Sequence, residues 1–165
     1  AMVETPRAVV EIATIASLGR DQGARLSCLV AGTNDLVKDT GIRATPDRRW
    51  LVPWLMQMVL AARAGGVDIL DGVSNDFSNL EAFAAECAQG REMGFDGKTL
   101  IHPAQIAPAN QAFSPSEDEV AEALAVREAF ALPENQAKGV ISINGKMVER
   151  LHLQQAERLL AKAGL

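Results

Sequence analysis

Two acidic residues stand where short apolar runs give out, and acids so placed are candidate ligands for a hard cation. Glu4 closes the opening Met2-Val3 run, and Asp35 follows Leu26 to Ala31 (LSCLVA) within Gly32-Thr33-Asn34-Asp35. If both runs are strands, both acids sit at C-terminal strand ends. Adjacent strands lie about 4.8 Å apart, so carboxylates on neighbouring ends reach a common ion. Two carboxylates that leave positions for water and substrate suit Mg²⁺. Pattern alone favours the plainer reading, in which Glu4 caps the helix behind it and Asp35 is a turn residue. Gly32 lets the backbone approach a ligand closely, and the amides of Thr33, Asn34 and Asp35 would cradle a carboxylate. A simple strand-to-helix turn explains the same residues equally well. His102, before Pro103, is either an acid–base group or a satisfied structural histidine; lacking a partner in the sequence, it is assigned the structural role. His152 is expected on a helix near the surface. No His/Cys/Glu cluster has zinc spacing, and no Ser/His/Asp arrangement can be inferred.

The elements that must hold these residues follow from caps and periodicity. Thr5-Pro6 opens a helix as N-cap and first residue, with Val9, Ile12, Ala13 and Ala16 on one face. Gly19 to Gly23 reads as a loop. LSCLVA and Val67 to Val73 (VDILDGV) read as strands buried on both faces, and Lys98 to Ile101 as a further strand ending at His102-Pro103. Pro46 to Gly66 contains a helix with Trp50, Trp54, Met58 and Ala62 in one row. Pro53 either sits in its first turn or kinks it. Ser78-Asn79-Leu80-Glu81 is read as a capping box opening a helix to about Met93, with Gly94 at its end. Ser114-Pro115-Ser116-Glu117 is read as a second box, opening a helix to about Leu132. Val140 to Ile143, Asn144-Gly145 and Lys146-Met147-Val148 form a hairpin signal with a type I′ turn. A last helix spans about Leu151 to Ala163. Strands alternating with helices up to residue 113 predict an α/β fold, either an open sheet or a (β/α)₈ barrel. No GxGxxG or Walker loop supports a nucleotide-binding open sheet. A barrel takes about 250 residues, whereas only about four βα units precede residue 114. Half a barrel exposes sheet edges, so the chain is read as part of a longer protein or as one whose other half lies on another chain.

Bulk composition narrows the classes. The 165 residues are 48% hydrophobic and 22% charged, which excludes a disordered chain. A formal charge of -5 without a basic stripe argues against nucleic acid. Cys28 and Cys87 are read as reduced, buried thiols. The longest apolar run, Leu51 to Ala62, is interrupted by Pro53, Trp54 and Gln57 and is too short to span a bilayer. The expectation is a soluble cytoplasmic protein.

Six stretches carry a resemblance across essentially the whole chain: MVETPRAV (Met2 to Val9), VAGTNDLVKDTG (Val30 to Gly41), AARAGGVDILDGV (Ala61 to Val73), GREMGFDGKTLIHPAQI (Gly90 to Ile106), NQAFSPSEDEVAEA (Asn110 to Ala123) and NGKMVERLHLQQAERLL (Asn144 to Leu160). In order, they resemble the citrate lyase β-subunit family within the HpcH/HpaI aldolase superfamily, relatives of malyl-CoA and citramalyl-CoA lyases and of related thioesterases. The resemblance implies the C-terminal half of a (β/α)₈ TIM barrel of phosphoenolpyruvate/pyruvate-domain type over 1–113, its early strands absent. It further implies a helix–hairpin–helix extension over 114–165 that packs on a neighbouring subunit, in a homotrimer. It reverses the plainer reading of the acids: the family's Mg²⁺ ligands fall on Glu4 and Asp35, and its carboxylate-binding turn on Gly32, Thr33 and Asn34. The family's catalytic aspartate after the GKM hairpin falls on Glu149, one methylene longer. The implied activity is cleavage of a 3-hydroxyacyl thioester, on CoA or acyl-carrier protein, into an acyl thioester and a 2-oxo acid such as oxaloacetate, glyoxylate or pyruvate. The arginine that helps bind the thioester carbonyl belongs to the absent strands, so the chain alone is expected to be inactive. Asp39 and Lys98 receive no catalytic role. The competing expectations are a Mg²⁺-dependent aldolase on free 2-oxo acids and a truncated, non-catalytic subunit or scaffold.

Overall fold

Residues 1–165 are described by a computed structural model, in which the chain divides into two units, Ala1–Phe113 and Ser114–Leu165. The first unit is built on four parallel strands in the order of the sequence. They are β1 (Met2–Val3), β2 (Cys28–Ala31), β3 (Asp68–Asp71) and β4 (Gly97–Lys98). Register pairs Val3 with Ala31, Val30 with Leu70, and Leu70 with Gly97, so the C-terminal ends of all the strands line one edge. The connections are helical: α1 (Pro6–Val10), α2 (Ile12–Ser17), α3 (Thr33–Thr40), α4 (Val52–Gly65) and α5 (Leu80–Met93), with α6 (Ile106–Phe113) closing the unit. This is an α/β fold with a parallel sheet.

Side-chain alternation decides what each strand faces. Val3, Leu29, Ala31 and Ile69 pack in one core with Ile12 and Ala16 of α2 and with Leu55, Met58 and Ala62 of α4. The alternate residues Met2, Cys28, Val30 and Leu70 lie on the opposite face and are half-buried or exposed. The expectation of strands buried on both faces therefore holds for one face only. Right-handed crossovers between successive parallel strands carry their helices to the same side.

The helix starts show where short polar motifs mislead. Thr5 caps α1 as expected, its hydroxyl accepting from the Ala8 amide at 3.1 Å. Pro53 lies in the first turn of α4, so that helix is not kinked by it. The apolar row of that region is buried at Met58 and Ala62, but Trp50 precedes the helix and is 57% exposed. Asn79, not Ser78, caps α5, accepting from the Ala82 amide at 3.1 Å. Ser78 instead donates its hydroxyl to Asp76 at 2.6 Å. The strand expected over 98–101 stops at Lys98, because the Ile101 and His102 amides donate to the Gln105 side chain instead of a neighbouring strand. Helix α3 is an element the periodicity did not reveal.

The second unit is α7 (Glu117–Ala131), the hairpin of β5 (Val140–Ile143) and β6 (Lys146–Glu149), and α8 (Arg150–Lys162). The capping box sits two residues beyond the expected one: the Ser116 hydroxyl accepts from the Glu119 amide, and the Glu119 carboxylate accepts from the Ser116 amide at 2.8 Å. Asn144 and Gly145 both take left-handed φ angles, 52° and 78°, as a type I′ turn requires. Ala123, Ala156 and Leu160 pack α7 against α8, and Arg150 lies over the Phe130 ring at 5.1 Å. No helix is long and apolar enough to cross a membrane.

Candidate active site

The β1–β2 register brings Glu4 opposite Gly32, one step past the paired ends. The Gly32 amide donates to the Val3 carbonyl at 2.9 Å. A Cβ on Gly32 would lie 2.4 Å from the Cβ of Glu4 and 3.3 Å from Cγ of Met2. Close approach, rather than backbone conformation, is what demands glycine there. The same contacts put the Glu4 stem on the Met2 face of the sheet, turned away from the helices. Gly32 is also the N-cap of α3 and offers no side chain to it. The first amides of α3, those of Thr33, Asn34 and Asp35, have no acceptor within the helix. A helix start without a side-chain cap favours an anion.

Asp35 stands in the first turn of α3 and is exposed, as is Asn34, while Thr33 is buried. No hydrogen bond or ion pair within the chain engages the carboxylate of Glu4 or Asp35. Two uncommitted carboxylates beside open backbone donors are a fitting donor set for a hard divalent cation that keeps some of its water. No group of three or more His, Cys, Asp or Glu is arranged to hold a metal ion. The first unit thus places Glu4 against Gly32, with Thr33, Asn34 and Asp35 in the first turn of the helix that starts there. Glu149 belongs to the second unit, as the last residue of β6 and the N-cap of α8, where its amide donates to Nδ1 of His152 at 2.9 Å.

His102 caps the short 3₁₀ turn Pro103–Gln105, its Nδ1 accepting from the Ala104 amide at 3.1 Å. Its ring stacks on Phe77 with centroids 4.6 Å apart. Both contacts are structural. Cys87 is fully buried, and desolvation pushes its thiol up to about 11. Burial also raises the Cys28 thiol. Neither is a nucleophile at neutral pH, and both thiols are free.

Of a buried charge cluster, the sequence singles out Lys98 alone, and without a catalytic role. Asp71, at the end of β3, is 0% exposed. Arg48 Nη1 donates to both its oxygens, at 2.8 and 2.7 Å, and Lys98 Nζ donates at 3.1 Å. Lys98 also reaches Glu86 at 2.6 Å and the Gly72 carbonyl at 2.5 Å, and Arg48 lies 3.5 Å from Glu86. Two cations and two anions make a neutral quartet on the helix-covered side of the sheet, the side of Ile69. It braces the strand ends without facing the Glu4 side. One signal was available: in VDILDGV, Asp71 shares the parity of the buried Ile69, and a buried acid needs a cationic partner.

Comparison with known proteins gives a consistent set. The family model described as HpcH/HpaI aldolase/citrate lyase matches residues 1–103. A (3S)-malyl-CoA thioesterase of Cereibacter sphaeroides is 48% identical over 163 residues, covering 99% of this chain and 55% of the relative. Citrate lyase subunit beta of Escherichia coli is 32% identical over 165 residues, covering 100% of this chain and 53% of the relative. The crystal structure of CitE from Mycobacterium tuberculosis, in complex with magnesium, acetoacetate and coenzyme A, has a TM-score of 0.77 at 30% identity, covering 100% of this chain and 60% of that one. The chain spans about half the length of the curated relatives it matches.

Proposed function

The chain belongs to the HpcH/HpaI aldolase/citrate lyase family, and on that premise we propose that the full-length protein is a Mg²⁺-dependent carbon–carbon lyase. It cleaves a citryl-, malyl- or citramalyl-type 3-hydroxyacyl thioester into an acyl thioester and a 2-oxo acid. One juxtaposition carries this reading: Glu4 and Asp35, both uncommitted, flank the open start of α3 at the ends of neighbouring parallel strands. Their carboxylates hold the metal, and the Thr33 and Asn34 amides orient the carboxylate of the oxo acid. Bound Mg²⁺ supplies Lewis acidity toward the hydroxyl that becomes the oxo group. Glu149, brought by the C-terminal unit of a neighbouring subunit in a trimer, moves the hydroxyl proton as the carbon–carbon bond breaks. The electron pair of the breaking bond passes to the α-carbon of the thioester, giving an enolate, and the proton held by Glu149 returns to that carbon to give the acyl thioester. The four strands are half of a (β/α)₈ barrel, and the open face bearing Met2, Val30 and Leu70 is its interior. The solved relatives complexed with magnesium and with coenzyme A or oxaloacetate support this choice of metal and ligands.

Thioester hydrolysis is a second reading, favoured by the 48% identical relative named a thioesterase. The two are separated by incubating full-length protein with Mg²⁺ and malyl-CoA or citramalyl-CoA. The lyase releases glyoxylate or pyruvate with an equal amount of acetyl-CoA and no free thiol. Free CoA thiol with malate or citramalate, and no oxo acid, overturns the lyase reading. A free hydroxy-oxo acid in a parallel assay tests the aldolase alternative.

The Gly32 contact makes a separate prediction. Gly32→Ala forces the Glu4 stem aside, and a misplacement of about 1 Å at a reacting centre costs about 10²-fold in rate. Steady-state turnover of the purified variant is the check, and an undiminished rate would show that Glu4 is not held by this contact.

A further inference from the structure

The uncapped start of α3 is held from the side by a chain of amides that none of the chemistry above uses. Asn34 and Asn75 form a reciprocal pair: Asn34 Nδ2 donates to Asn75 Oδ1 at 3.1 Å, and Asn75 Nδ2 donates to Asn34 Oδ1 at 2.8 Å. The Asn34 side chain is thereby turned to the loop after β3. That loop is itself anchored, because Nε2 of the fully buried Gln105 donates to the Ser74 carbonyl at 3.0 Å. Gln105 Oε1 in turn accepts from the Ile101 and His102 amides at 3.0 and 3.2 Å. Three consecutive segments, following β2, β3 and β4, are thus tied into one band along the site edge. Gly72 adds a steric stop, since a Cβ there would lie 2.5 Å from Oγ1 of Thr33.

We propose that Asn75 is a positioning residue for the turn at Gly32–Asn34, fixing the direction of the Thr33 and Asn34 amides toward the carboxylate of a 2-oxo acid. The inference rests on the function proposed above. The Gly32 amide ties the foot of the turn to Val3, but no side-chain cap orients the helix start beyond it. A reciprocal amide pair resists both rotation and translation of the turn. Asn34 then acts through its backbone, and its side chain is a tether to Asn75.

The test is calorimetric titration of full-length protein with oxaloacetate and with pyruvate at saturating Mg²⁺. It uses Asn75→Ala, Asn34→Ala and the double variant. Loss of a hydrogen-bonded pair predicts about fivefold weaker binding in each single variant. The double variant is expected to be no weaker than either single variant, because both break the same pair. Asn75 is exposed, so the melting midpoint stays near that of the wild type, and in the condensation direction KM for the acyl thioester is unchanged while KM for the oxo acid rises. Wild-type affinity in Asn75→Ala, additive losses in the double variant, or a larger loss in Asn34→Ala than in Asn75→Ala would each overturn the inference while leaving the lyase reading intact. A wild-type protein that binds neither oxo acid in a Mg²⁺-dependent manner overturns both.

Discussion

Glu4→Gln or Asp35→Asn in the full-length protein is expected to abolish Mg²⁺-dependent turnover, lowering kcat by at least about 10³-fold, the upper range for losing one transition-state stabiliser. Each change keeps the side-chain shape and removes one of two negative charges. Mg²⁺ is bound through one or two carboxylates with water and substrate filling the rest, and no further acid is gathered nearby to replace the lost one. Neither carboxylate has a partner in the chain, so removing its charge orphans no cation, and stability should stay within about 0.5 kcal/mol of the wild type. The alternative role of Glu4 as a helix cap predicts the opposite pattern, a stability loss without a kinetic one. The structure gives that cap to Thr5. Turnover measured across a Mg²⁺ titration is the check. Wild-type rates in either variant would refute the assignment.

The second large effect concerns stability. Asp71→Ala leaves Arg48 and Lys98 buried with one anion between them, and Lys98→Met leaves Asp71 and Glu86 with one cation. Breaking a buried pair from one side costs about 3–5 kcal/mol, because an uncompensated charge remains away from water. Side chains of Asp71 and Lys98 are 0% exposed and that of Arg48 is 8% exposed, so solvent screens little of this. Lys98→Met combined with Glu86→Leu restores neutrality around the Arg48–Asp71 pair and should lose less than Lys98→Met alone. Denaturant unfolding of the purified full-length variants measures all three. A loss under about 1 kcal/mol in Asp71→Ala would mean that the cluster is reached by water. The single variants should also weaken oxo-acid binding, since Lys98 holds the Gly72 carbonyl and Gly72 stands against Thr33.

Local signals were the most legible part of the sequence. Thr5-Pro6 starts a helix and Asn144-Gly145 makes a type I′ turn because each is a self-contained arrangement of a few residues with one low-energy answer. The shifted caps at Asn79 and Ser116 show the limit of that logic. Where several Ser, Asn and Asp residues adjoin, tertiary packing chooses among them, as when Asp76 takes the Ser78 hydroxyl. The eight residues of α3 include only two apolar side chains, Leu36 and Val37, too few for a repeat to show, so the sequence reads there as a turn. The nearness of Glu4 to Gly32 could be expected from parallel strands, and the family resemblance singled out that pair. The quartet was hidden for a different reason. Arg48, Asp71, Glu86 and Lys98 come from four separate segments, with no fixed spacing, and only the three-dimensional arrangement pairs them. The Asn34–Asn75 tether, spanning 41 positions, is equally silent in sequence.

Crystals of the full-length protein soaked in Mn²⁺, a stand-in for Mg²⁺ with an anomalous signal, show which side chains hold the metal. Shared ligation gives one strong anomalous peak with carboxylate oxygens of both Glu4 and Asp35 about 2.1 Å away, and water or an oxo acid completing the shell. A peak bound by only one of the two acids, or found only elsewhere in the molecule, would contradict it.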